Sequence, residues 1–214
     1  MPKIHSVVFD STNTQSDLCE MGAACCSDKS PYNKVTHRHP YTALYALLFS
    51  RFREQPVRFA EIGIAGGASM IMWRHYFRNS ATKIFAFDRD TNFIANLERY
   101  NLFETHGIEM DVKSESSIHQ ALMKTGGQLD VLLDDSTHDL EDQVKIVRAA
   151  LQFIKPGGMI VIEDIFRRIP DEDYENAMGD LLDNFAFCCF YVTDHIARWS
   201  PDWDNDKVLV LIKK

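Results

Sequence analysis

The chain has 214 residues, of which 45% are hydrophobic, 25% charged and 11% aromatic, and its formal net charge is −8. These are the proportions of one globular domain, long enough to bury roughly 70% of its unfolded surface without disulfide or metal staples, and they exclude a disordered chain. The acidic balance, with stretches free of Lys and Arg at Pro170–Asn176 and Pro201–Asp206, argues against a nucleic-acid partner.

No run approaches about 18 consecutive apolar residues, so no membrane span is expected, and the first residues lack the apolar core of a signal peptide. The cysteines Cys19, Cys25, Cys26, Cys188 and Cys189 form no CxxC pair. Read as reduced thiols, they fit a cytoplasmic protein.

Residues 1–40 are polar, with Val7, Val8 and Phe9 as a short candidate strand. They are taken as an N-terminal segment, and residues 41–214 as the domain proper. Tyr41, Leu44, Tyr45, Leu48, Phe49 and Phe52 fall on one stripe of an amphipathic helix stopped by Pro56. That stripe is the surface expected to serve a partner, a second copy of the chain included.

Beyond Pro56 strands and helices alternate. Val57–Ile64, Lys83–Asp88, Ile108–Val112, Leu129–Asp134 and Met159–Ile162 read as strands. Ala68–Arg78, Asn92–Leu102, Ser116–Lys124, Leu140–Ile154 and Asp173–Phe185 read as helices. Near-continuous apolar strands separated by helices predict an α/β fold, a doubly wound and mostly parallel sheet covered on both faces. Two last strands, Cys188–Val192 and Lys207–Ile212, bring the count to seven. The segment between them contains Pro201 and has no helical period, so the final strand is expected to return antiparallel as a terminal hairpin.

Three segments carry chemistry. The first strand runs into Gly63, Gly66 and Gly67, which let the chain turn tightly against a ligand at the start of the next helix. The spacing is not G-x-G-x-x-G, because Ala65 and Ala68 take the second and third glycine positions. A nucleoside is expected there rather than a pyrophosphate. Asp88, ending the next strand, is suited to accept hydrogen bonds from ribose hydroxyls. The strand ends Asp134-Asp135-Ser136-Thr137-His138 and Ile162-Glu163-Asp164 then place four carboxylates and a histidine at one edge of the sheet. Carboxylates so crowded repel one another, and a divalent cation relieves the repulsion. All-oxygen ligands favour Mg²⁺, Ca²⁺ or Mn²⁺.

Taken together, the chain from about Tyr41 to Lys214 resembles a class I S-adenosylmethionine-dependent methyltransferase, with its Rossmann-like sheet. More narrowly it is similar to the metal-dependent sugar O-methyltransferases of macrolide biosynthesis, the mycinamicin type. The family's acidic pair and histidine stand here as Asp134-Asp135-Ser136-Thr137-His138, and its Ile-Glu-Asp as Ile162-Glu163-Asp164. Its upstream Asp-Lys and His-x-Tyr stand as Asp28-Lys29 and His39-Pro40-Tyr41. The usual glycine after the acidic pair is Ser136, and a second histidine common in the family is Asp142.

The resemblance implies a metal, Mg²⁺ or another divalent cation, on Asp135, Glu163 and Asp164, with His138 as base beside Asp135. It implies S-adenosylmethionine with its amino group on Glu61, its ribose on Asp88 and its adenine near Asp111 and Ser114. Gly63, Ala65, Gly66, Gly67, Ser69 and Asp134 complete the expected cofactor set. The reaction implied is O-methylation of a small-molecule hydroxyl, on a sugar or another natural product, with residues 1–40 as a lid. Acceptor loops are expected at Phe166–Glu175 and His195–Asp206, with Trp199 and Trp203 able to stack on a ring. Other readings stay open: a metal-independent methyltransferase, a nicotinamide-dependent oxidoreductase, or a protein that kept the fold for binding or assembly alone.

Overall fold

A computed structural model describes residues 4–201 and 203–214. Residues 1–3 of the N-terminal segment and residue 202 of the second acceptor loop lie outside the described set. Eight strands form one sheet: β1 (His5–Asp10), β2 (Arg58–Ile62), β3 (Lys83–Asp88), β4 (Thr105–Glu109), β5 (Leu129–Asp134), β6 (Ile154–Ile162), β7 (Phe185–Asp194) and β8 (Lys207–Lys213), in the order β1-β7-β8-β6-β5-β2-β3-β4. All neighbours pair in parallel except β8, which runs antiparallel to both β6 and β7. The terminal hairpin is as expected. The strand count is corrected from seven to eight, because Val7–Phe9 extends into β1 and adds in parallel to the edge at β7.

Among the described residues seven α-helices cover the sheet: α1 (Asp17–Ala24), α2 (Thr42–Leu48), α3 (Ala68–Tyr76), α4 (Thr91–Arg99), α5 (Glu115–Met123), α6 (Leu140–Ala150) and α7 (Asp171–Met178). Helix α1 was not anticipated; Ser16 caps it by accepting from the Cys19 amide. The expected helix at Tyr41–Phe52 is α2 followed by a 3₁₀ turn, Ser50–Phe52. Its stripe is not free for a partner, because Tyr41, Leu44, Tyr45 and Phe49 are fully buried in the chain's own core. The strand expected at Met159–Ile162 begins earlier, at Ile154, so that β6 takes in Lys155-Pro156-Gly157-Gly158, where the register against β5 shifts.

The strand period of two assigns each face its core. On one face Ala60, Ile62, Leu132, Ile160 and Ile162 pack against α5, α6 and α7. On the other, Phe59, Val131, Leu133, Met159 and Val161 pack against α1, α2, α3 and α4. Strand order reverses at β2 and β5, where successive connections leave in opposite directions. In such sheets ligands sit beyond the carboxyl ends of the strands at that reversal.

Candidate active site

The strand register predicts what meets at the reversal. Ile62 pairs with Asp134, and Asp134 with Ile162. The ladder continues one residue further, through Asp135 N–H to the Ile62 carbonyl (2.9 Å) and Glu163 N–H to the Asp134 carbonyl (2.9 Å). Asp135 and Glu163 are therefore side by side. By the same alternation they share the face of Leu133 and Val161, and Glu61 shares the face of Phe59. Three acidic side chains thus point towards α1, α2 and α3.

There they meet a cation supplied by the protein. The Lys29 ammonium donates to Asp135 Oδ2 at 2.5 Å and to Glu163 Oε2 at 2.5 Å, and lies 3.7 Å from Glu61 Oε1. Lys29 is 1% exposed. Burial alone would depress its pKa, but the carboxylates of Asp135, Glu163 and Glu61 overcome this and hold it well above the ordinary value. Glu163 also accepts from the Tyr45 hydroxyl at 2.5 Å. Burial raises the Glu163 carboxyl to about 7, and raises Asp135 too, against the opposing pull of Lys29.

Two cavities open above this layer. The first, about 500 Å³, is lined by Ile62, Gly63, Asp88, Arg89, Met110, Asp111, Val112, Ser136 and Thr137. The second, about 660 Å³, is lined by Asp28, His37, His39, Gly63, Ala65, Asp88, Phe93, Asp135, Ser136, His138, Asp164 and Trp203. They share Gly63, Asp88 and Ser136. Gly63 has φ +85°, and a Cβ there would stand 2.0 Å from the Asp135 carbonyl oxygen, so only glycine lets the loops after β2 and β5 cross this closely.

On the wall of the second cavity, ligand atoms of Asp135, His138 and Asp164 all lie within 4.8 Å of one another. His138 (φ +57°) and Asp164 (φ +56°) both hold the left-handed conformation that aims them there. His138 Nε2 is 3.7 Å from Asp164 Oδ2, and its buried Nδ1 has no hydrogen-bond partner. Burial lowers the His138 pKa, so the ring is neutral at pH 7. Asp164 accepts from the Tyr41 hydroxyl at 2.6 Å.

Residues 60–165 match the sequence family described as "Methyltransferase domain". The chain carries a methyltransferase domain. The chain is 29% identical over 157 residues to the 8-demethyl-8-alpha-L-rhamnosyl tetracenomycin-C 2'-O-methyltransferase of Streptomyces olivaceus, covering 67% of this chain and 39% of that protein. It is 27% identical over 161 residues to the mycinamicin VI 2''-O-methyltransferase of Micromonospora griseorubida, covering 67% of this chain and 38% of that one. The chain thus spans about two fifths of the length of these relatives. In fold it is similar to the MycE methyltransferase of the mycinamycin biosynthetic pathway, solved in complex with Mg and SAH, with a TM-score of 0.66 and 20% identity over 93% of this chain and 55% of that chain.

Within the methyltransferase domain the expected residues divide into three groups. Gly63, Asp88 and Asp111 line the nucleoside-sized cavity, and Ala65, Asp135, His138 and Asp164 line the second. Asp88 is engaged from below: Oδ2 accepts from the amides of Ile64 (3.0 Å) and Ala65 (3.3 Å), and Oδ1 from Asp90 (2.8 Å). Gly66 and Gly67 shape the turn without lining either cavity. Asp134 is buried and lines neither cavity, with Oδ1 accepting from the Ser136 hydroxyl and Oδ2 without a partner among the described residues; burial raises its pKa to about 6.

The third group is displaced. Glu61 lies behind the cavity wall, fully buried, its oxygens taken by the Ser69 hydroxyl (2.7 Å) and the Trp73 indole N–H. The strand period explains both positions, since Glu61 faces α3 and Ser69 and Trp73 are on it. Ser114 is the N-cap of α5, accepting from the Ser117 amide. Glu163 faces Lys29 and Tyr45 rather than the cavity.

The resemblance singles out Asp28-Lys29 and His39-Pro40-Tyr41 but implies no partner for Lys29. The available signal was the register itself: two carboxylates on one face of adjacent strands need a counter-charge. At the mouth of the second cavity the segment before α2 meets the segment between β7 and β8. Arg38 and Trp199 exchange backbone hydrogen bonds (2.7 and 3.0 Å). The Trp203 ring lies 5.9 Å from His37, 6.3 Å from His138 and 6.2 Å from Phe166.

Proposed function

We propose that this methyltransferase domain transfers a methyl group from S-adenosylmethionine to a hydroxyl of a small molecule, a sugar or another natural product, with a divalent cation assisting. The observation that carries this is the shared edge of the two cavities. A nucleoside-sized space bounded by Asp88 and Asp111 meets, at Gly63 and Ser136, a space walled by Asp135, His138 and Asp164. A donor in one is thereby put beside an acceptor in the other. The tetracenomycin and mycinamicin relatives are O-methyltransferases, and the former is named for a rhamnosyl substrate, which supports the acceptor class.

When bound, the cofactor supplies an electrophilic methyl, and a divalent cation acidifies an acceptor hydroxyl. The protein's part follows from its own atoms. Asp88 accepts from ribose hydroxyls while the Ile64 and Ala65 amides hold its carboxylate in place. Met110 and Val112 offer apolar walls to the base, with Asp111 at the rim.

Asp135 and Asp164 present oxygens to the second cavity and would hold the cation, with Glu163 immediately behind them. Neutral His138 takes the acceptor proton at Nε2, and the imidazolium so formed is stabilised by Asp164 beside it. Trp203 and His37 offer flat faces to a ring at the mouth. Residues 27–41, with the Arg38–Trp199 bridge, act as the lid that excludes water. The free cysteines agree with a reducing, cytoplasmic setting.

Calorimetric titration with S-adenosylmethionine, then transfer of a labelled methyl to glycosylated natural products and simple catechols, tests the reading. Absence of cofactor binding rejects it, and undiminished transfer in EDTA rejects its metal component.

A further inference from the structure

We propose that Lys29 is a tethered cation occupying the inner position of the carboxylate cluster, and that a divalent ion and the Lys29 ammonium compete for Asp135 and Glu163. The inference rests on the proposed cation site at Asp135 and Asp164, and goes beyond it by assigning an opposing role to a residue outside that site.

The geometry is that of an ion with its ligands. One charged centre bridges Oδ2 of Asp135 and Oε2 of Glu163 at 2.5 Å each, with Oε1 of Glu61 next at 3.7 Å. An ammonium has three N–H donors, and here its ion-pair partners within 4 Å, among the described residues, are all carboxylates. It stands in for the hard cation that such oxygens select. The compensation is partial. Glu61, Asp135, Glu163 and Asp164 bring four carboxyl groups to the cluster, against the Lys29 ammonium and the His39 ring, which lies 3.9 Å from Asp164. The nearby His39 ring is committed to Asp206 at 2.8 Å.

The arrangement also decides which oxygens a metal can reach. While Lys29 is in place, Glu163 is drawn back into the wall between Lys29 and Tyr45. Asp135 and Asp164 are then the carboxylates left on the cavity side. Lys29 therefore keeps the cluster assembled when no metal is bound, at the expense of metal affinity. Its main chain is fixed independently, since its carbonyl accepts from the amides of Tyr41 and Thr42 (3.1 Å each) at the start of α2. Removing the ammonium leaves that anchor intact.

The test measures Mn²⁺ binding by the electron paramagnetic resonance of free Mn²⁺, and thermal midpoints in EDTA and in Mn²⁺. It compares the full chain with Lys29→Met, Lys29→Arg and the double variant Lys29→Met/Glu163→Gln. Lys29→Met should bind Mn²⁺ at least about tenfold tighter than the parent, since an unpaired buried charge is returned to the site. Its midpoint should fall in EDTA and recover in Mn²⁺. Lys29→Arg keeps the charge and should keep the parent's affinity. The double variant should recover stability in EDTA and lose the affinity gain. Mn²⁺ affinity in Lys29→Met equal to or weaker than the parent's overturns the proposal, and so does a Lys29→Met chain that stays unfolded in saturating Mn²⁺. A parent chain that binds S-adenosylmethionine but no Mn²⁺ counts against the cation site itself, while a chain that binds Mn²⁺ but no cofactor counts against the methyltransferase reading alone.

Discussion

His39 Nδ1 lies 2.8 Å from Asp206 Oδ1, and this pair ties the N-terminal segment to the residue just before β8. Both side chains are buried, and Arg198 reaches the other Asp206 oxygen at 2.7 Å. Burial alone would lower the His39 pKa, but Asp164 and Asp206 outweigh it and raise the group from 6.5 to about 9.

The sign of the consequence follows. A histidine whose folded pKa exceeds its unfolded value stabilises fully below the unfolded value, and that contribution is lost as pH rises from 6.5 through about 9. The pair is expected to contribute about 3 kcal/mol at the acid end of that window. Urea denaturation across it should show the parent losing stability relative to His39→Gln. Parallel curves for the two proteins would remove His39 from the account.

Gly63→Ala should be among the most damaging single-methyl changes in the chain. The added Cβ meets the Asp135 carbonyl at 2.0 Å, where backbone must move, and the φ of +85° is strained for any L side chain. A loss of about 3 kcal/mol or more is expected, a fall in Tm of roughly 10 °C. Gly66→Ala, three residues along the same loop, points its Cβ into open space and should stay within about 0.5 kcal/mol of the parent. Equal losses in the two variants would contradict the close crossing of the β2 and β5 loops.

The sequence disclosed the alternating elements because their apolar strands are long and fully buried, and it disclosed the hairpin because the segment before β8 has no helical period. Of β1 only the middle, Val7–Phe9, was legible, and α1 was not, because each is short; β1 is an edge strand whose Val7 and Val8 are exposed, so no alternation marks its ends. In the site, Asp88, Asp111, Asp135, His138 and Asp164 were legible as strand-end residues. Glu61 and Ser114 line neither cavity for local reasons: one faces α3 by strand alternation, and the other caps α5. Lys29 was illegible as a partner because its contacts with Asp135 and Glu163 span more than 100 positions of chain. No periodicity in residues 27–41 encodes such a contact.

The contrast between Asp88 and Ser114 is measurable. Asp88→Asn keeps the shape of the side chain but removes the charge that ribose hydroxyls would meet. Affinity for S-adenosylmethionine is expected to fall about 10- to 100-fold in calorimetry. Ser114→Ala removes a helix cap and should cost about 1 kcal/mol of stability while leaving that affinity unchanged. A cofactor defect in Ser114→Ala would place the adenine nearer α5 than the cavity walls indicate.

His138→Gln separates proton transfer from binding. The ring lines the acceptor cavity and not the one bounded by Asp88 and Asp111, so cofactor affinity should persist while kcat falls about 10²- to 10⁴-fold. Because burial holds the His138 pKa below 6.5, the parent's rate should be flat through neutral pH and decline only on the acid side, as the base becomes protonated. The residual rate of His138→Gln should lack that acid limb. If the limb survives unchanged in the variant, the group that accepts the proton is another one on the same wall, and Asp164, whose carboxylate is 3.7 Å from the His138 ring, is the next to substitute.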